Sequence, residues 1–201
     1  MCKLGRWTTL LFGLALIALL ASCAKKGTVV VSFSTANNES AWYPVDVANW
    51  IAVTGPYGQV DYYPSYTDAT ADLQATLIDA GTGQPSDSRV VHLDSYTVTW
   101  GNAHIPTLHG ALDVLVPADP NSSKPAKFTV LVMPGIEKET LGVLANLQGD
   151  PNDDPNTFVG ELVTTATINF YGTDLATGDT INTSLHLTAA FADYIDPNSY
   201  H

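Results

Sequence analysis

The residues most able to do chemistry are carboxylates. Asp150, Asn152 and Asp154 fall at alternate positions of the run Asp150-Pro-Asn-Asp-Asp-Pro155, and Glu161 follows at the twelfth position. Oxygens so spaced on a curled loop can wrap a calcium ion, which takes about six to eight of them. Position six of such a loop turns sharply and wants glycine, but here it is Pro155, whose φ is fixed near about −65°. The plainer alternative is a solvated acidic turn between a helix and a strand. Calcium is therefore an expectation that rests on spacing alone.

A second group is aromatic. Trp42, Tyr43, Trp50, Tyr57, Tyr62, Tyr63 and Tyr66 crowd one short stretch of the chain. Amphipathic rings on loops can stack on a sugar face or anchor a protein partner. Equally, they can alternate into a core. Tyr62 and Tyr63 are neighbours, and on a strand neighbours face opposite sides, so at least one should be exposed. Trp42, Tyr43, Trp50, Tyr62 and Tyr63 are the candidate contacts for a protein or glycan partner.

Histidines are the third group. His104 and His109 flank Ile-Pro-Thr-Leu, with Asp113 beyond. Two imidazoles and a carboxylate can hold zinc with an open position, though this spacing matches no established metal motif. Nucleophilic catalysis has little to stand on. There is no Gly-x-Ser-x-Gly elbow and no glycine-rich phosphate loop. The chain is read as non-enzymatic, with a hydrolase of unrecognised site as the remote alternative.

The fourth reactive residue is Cys23. Lys3 and Arg6 precede an apolar run from Leu10 to Ala21, which ends in Leu20-Ala21-Ser22-Cys23. That run is shorter than the roughly 20 residues a membrane-spanning helix needs, and its flanks are those of a secretory leader. The segment resembles a bacterial lipoprotein signal with its lipobox. The resemblance implies cleavage before Cys23 and a thioether from its sulfur to diacylglycerol, with palmitate-type chains holding the protein at a membrane. Ala24 follows the cysteine rather than aspartate, which in a Gram-negative cell implies the outer membrane, and otherwise the outside of the plasma membrane.

Such processing changes the charge balance. The whole chain has 8 basic and 20 acidic residues, a net charge of −12. Losing Lys3 and Arg6 leaves 6 basic residues against the same 20, or −14. A surface this acidic repels phosphate backbones, so nucleic acid is excluded as a partner. Cys2 leaves as well. Cys23 is then the last cysteine, so no internal disulfide or cysteine-ligated metal can form.

Strands must position these groups. Apolar content is 45%, far above that of a disordered chain. Runs rich in Val, Ile, Thr and aromatics cover 29–33, 50–54, 59–63, 73–78, 90–100, 111–116, 128–133, 163–171 and 180–191. Turn signals at 55–58, 119–124 and 172–179 suggest three hairpins. The single helical pattern spans 137–147, where Ile136, Leu141, Leu144 and Leu147 share a face. The expected fold is all-β: an antiparallel β-sandwich with long loops and one short helix. Residues 164–193 resemble the closing hairpin of immunoglobulin-like and fibronectin-III-like domains, although the Cys-Trp-Cys pattern of antibody domains is absent. The expected organisation is a signal peptide over 1–22, a lipidated cysteine and short tether over 23–27, and one sandwich domain over 28–201.

Overall fold

The computed structural model describes residues 29–35, 42–79, 89–117, 125–149 and 160–193. The leader, Cys23, Asp150, Asn152 and Asp154 lie outside the described residues, as do the side chains of Trp42 and Trp50.

The chain forms β1 (Val29–Thr35), β2 (Trp42–Asp46), β3 (Asn49–Thr54), β4 (Val60–Ser65), β5 (Ala69–Asp79), β6 (Val90–Trp100), β7 (Leu108–Pro117) and β8 (Ala126–Met133). Two short helices follow, α1 (Gly135–Thr140) and α2 (Gly142–Ala145), then β9 (Leu162–Asp174) and β10 (Thr180–Ala192). A three-stranded sheet of order β1-β5-β8 faces a five-stranded sheet of order β2-β10-β9-β6-β7. β2 runs parallel to β10, and every other pairing is antiparallel. This is the strand order of an immunoglobulin-type sandwich, with an additional edge strand on the larger sheet.

The core lies between the sheets. β9 alternates along its length, with Ala166, Ile168 and Phe170 fully buried. Phe170 stacks on Phe33 with centroids 4.3 Å apart and meets Phe128 edge-on at 5.9 Å. This aromatic group joins β1 and β8 of the smaller sheet to β9 of the larger one. A second apolar cluster closes one end of the sandwich, built from Val45, Val47, Ile105, Met133, Leu144 and Phe191.

β6 changes phase partway. Val91 and Leu93 point inward, but so do Tyr96 and Val98. A bulge between Leu93 and Ser95 supplies the extra residue, and it appears in the pairing with both neighbours. An odd insertion moves the following side chains to the other face, which is how Tyr96 enters the core.

Two expectations need correction. β7 and β8 do not form a hairpin: β7 pairs with β6 and β8 with β5. β7 belongs to the five-stranded sheet and β8 to the three-stranded one. The expected helix over 137–147 is two helices broken at Leu141, which is extended at φ −78° and ψ 112°. Gly142 follows the break, and glycine has weak helix propensity.

The other two hairpins are present. In the first, the N–H of Gly58 donates to Gly55 O at 3.0 Å and that of Gly55 to Gln59 O at 2.8 Å. Pro56 fits the second position of this tight turn, and Gly58 adopts φ 82°, a left-handed conformation that glycine accepts without strain.

Candidate binding surface

The strand registers define two ends. β1 begins beside the end of β5, where Val29 pairs with Asp79. The start of β1 therefore lies at that end of the sandwich. The opposite end carries the end of β2, the start of β5, the 101–107 loop and both helices. From this end the β3–β4 hairpin projects, as a separate two-stranded sheet.

The feet of the hairpin are pinned. Lys138 of α1 is buried and donates from Nζ to Asp46 O at 2.7 Å. Burial pulls its ammonium below the usual lysine range, against the opposing pull of Asp46 and Asp68. The backbone N–H of Gly135 donates to Asp68 Oδ1 at 2.8 Å, and Tyr66 Oη to Gln148 Oε1 at 3.1 Å. These bonds fix the base of the hairpin to the helices.

Beyond its feet the hairpin is open on both sides. Ile51 is 53% exposed, Val53 48%, Val60 46% and Tyr63 55%, while Tyr57 at the tip reaches 93%. Isolated apolar residues on a surface are ordinary, but a contiguous group is a mark of an interaction site. Asp61 is the one charged residue between Asn49 and Ser65. A largely apolar projection with a single charge thus stands on an acidic body.

The aromatic candidates divide between roles. Tyr43 is half-buried on β2, with Oη bonded to Thr70 O. Burial pushes its hydroxyl above the usual tyrosine range, with the Asp72 charge adding to the effect and the Thr70 bond opposing it. Tyr43 is thus a structural strut. Tyr62 is half-buried and Tyr63 exposed, as their adjacency on a strand requires.

The histidines do not converge. Asp113 meets His92 across β6 and β7, with Nε2 2.8 Å from Oδ1, and its side chain is 94% exposed. His104 lies in the 101–107 loop, where its N–H donates to Asn102 Oδ1. Among the described residues no three His, Cys, Asp or Glu side chains gather to hold a metal. Glu161 is exposed just before β9. A cleft of about 70 Å³ lies among Trp100, Pro106, Leu108, Met133 and Glu137. That is far below the roughly 300 Å³ of a small-molecule site. No described helix is long and apolar enough to cross a membrane.

The sequence reading missed β2, whose five residues include Pro44, and it missed the buried pair of Arg89 with Asp174. It located the β3–β4 hairpin but not its separation from both main sheets. The usable signal was apolar residues on both faces of strands bounded by tight turns.

Fold and geometry together define an immunoglobulin-type β-sandwich with a projecting apolar hairpin. No protein-family model matches the chain, and no curated protein does.

Proposed function

We propose that this chain is a lipid-anchored extracytoplasmic protein of the cell envelope that acts by binding or as a structural component, with no catalytic step. The observation that carries the reading is the opposition of the two ends. β1 starts six residues beyond Cys23, and the hairpin leaves the far end of strands as long as the 13 residues of β10. Such a strand spans roughly 40 Å. Acyl chains on Cys23 would hold one end at the bilayer and present the hairpin away from it. Confinement to a surface raises effective concentration, so a modest contact suffices. In a Gram-negative cell the anchor would lie in the outer membrane.

The test is fractionation of cells expressing the wild type and Cys23→Ala. The wild type should partition with membranes and take up a fatty-acid label. The variant should do neither. Label on the variant, or none on the wild type, would contradict the proposal.

A second reading is a cell-surface module for glycans, favoured by the exposure of Tyr57 and Tyr63. A glycan panel should then quench intrinsic fluorescence, and Tyr57→Ala with Tyr63→Ala should abolish the response. For calcium, the support remains the spacing of Asp150, Asn152, Asp154 and Glu161. Millimolar calcium should raise the melting temperature, and substituting Asp150 and Asp154 should remove that rise.

A further inference from the structure

We infer that the free edge of β3 pairs with β3 of a second copy of this chain, forming a continuous four-stranded sheet across a two-fold axis. The inference names a partner for the binding reading and rests on the hairpin alone, independently of the anchor.

The sheet edges of this chain are treated differently from one another. Exposed strand edges offer unpaired N–H and C=O groups, and proteins blunt them with charge, proline, bulges or covering groups. At β1, Thr183 Oγ1 donates to Val31 O at 3.3 Å. At β8, the Tyr96 hydroxyl bonds both the N–H and the C=O of Leu131. β2 carries Pro44, and β7 carries Asp113 and ends in Pro117. β4 carries both Asp61 and Pro64.

Among the described residues β3 has none of these devices. Its sequence, Asn-Trp-Ile-Ala-Val-Thr, has no charge and no proline. Six consecutive pairs join it to β4 without a register shift. No other described strand meets it.

The hydrogen-bond phase places the open groups. The Gly55 N–H bonds Gln59 O. In an antiparallel ladder bonded and non-bonded pairs alternate, so Val53 with Asp61 and Ile51 with Tyr63 form bonded pairs. The backbone groups of Ala52 and Thr54 then face outward on β3. Pro64 falls in the other phase on β4, where its missing N–H is on the outer side.

Charge selects the occupant. The chain is strongly acidic, so two copies repel over most of their surface. Their hairpins do not, since Asp61 is on the strand away from the proposed seam. A partner segment must match a neutral, apolar, β-rich edge, and the hairpin is itself such a segment. Pairing would also convert a two-stranded unit, marginal on its own, into four strands. A two-fold axis closes the contact at a dimer.

The test uses the full chain in detergent, with solvent density matched to the detergent, followed by sedimentation from micromolar concentration upward. The wild type should sediment as two chains. Ala52→Pro removes one outward N–H and leaves the inner ladder intact. Val53→Lys adds a charge to the exposed face. Each should weaken association about tenfold or more, with the circular dichroism of the folded protein unchanged. If Ala52→Pro fails to fold, Val53→Lys decides. A wild type that stays single at every concentration would overturn the inference. So would a dimer that survives the edge substitution in folded protein, or an assembly that grows without closing.

Discussion

The hydroxyl of Tyr96 bonds both backbone groups of Leu131, accepting its N–H at 3.1 Å and donating to its carbonyl at 3.2 Å. One side chain from the five-stranded sheet thereby satisfies a free edge of the three-stranded one. The bulge before Tyr96 sets its inward direction, so a local irregularity in β6 serves a contact between sheets.

Tyr96→Phe leaves both Leu131 groups unpaired. Leaving these partly buried polar groups unsatisfied should lower stability by about 1–3 kcal/mol in urea unfolding. Burial raises the Tyr96 hydroxyl above the ordinary 10.0, with the Leu131 bond opposing. A raised folded-state value means that the contribution is complete below pH 10 and is lost as pH climbs through the folded value. The wild type should therefore weaken in alkali, and Tyr96→Phe should weaken less. Tyr43, shifted in the same direction, keeps part of the slope in the variant. An unchanged alkaline slope would contradict the role given to Tyr96.

Gly110 makes room for that ring. A Cβ at this position would stand 2.1 Å from Tyr96 Cε1. Gly110→Ala should cost about 1–3 kcal/mol by overpacking. In combination with Tyr96→Ala the penalty should largely vanish, because the clash is with that ring. Additive losses in the double variant would show that Gly110 acts through something else.

Arg89 and Asp174 form a buried ion pair at the end of the sandwich where β1 begins, with side chains 9% and 1% exposed. Burial alone would raise the Asp174 carboxyl. The Ala176 N–H, the Arg89 guanidinium and the Thr177 N–H outweigh it and hold the group below the ordinary 3.8. A depressed folded-state value gives stability above pH 3.8 that disappears as pH falls through the folded value. Stability should thus decline in acid, and Asp174→Asn should flatten that limb. Arg89→Ala strands a buried carboxylate and should cost about 3–5 kcal/mol at neutral pH. Urea melts from pH 3 to 7 would check both expectations.

Lys138→Met tests the footing of the hairpin. It preserves the buried stem but removes the donor to Asp46 O. Stability should fall by about 1–3 kcal/mol, the worth of a hydrogen bond from a charged donor. Amide exchange should quicken at Asp46 to Asn49 and in α1 before it does so in β9. Uniform quickening across the chain would argue against a local footing.

Local signals carried much of this fold. The β9–β10 hairpin was legible because twelve residue pairs alternate around a glycine-containing turn, and the β3–β4 turn because Pro56 and Gly58 sit where its geometry wants them. Non-local features were not legible. β2 is held by parallel pairing to β10, nearly 150 residues away, and five residues with a proline do not advertise a strand. A polar loop between two strands looks alike whether they pair or part, which is why β7 and β8 read as a hairpin. Exposure was hidden for the same reason. Ile51, Val53 and Val60 have the pattern of a core strand, and only the placement of the other sheets shows them uncovered.

The most direct measurement is the intact mass of the mature polypeptide purified from membranes. The mature chain should begin at Cys23 and carry a diacylglyceryl thioether on its sulfur. A chain that retains residues 1–22, or a free Cys23 thiol in protein soluble without detergent, would contradict that expectation.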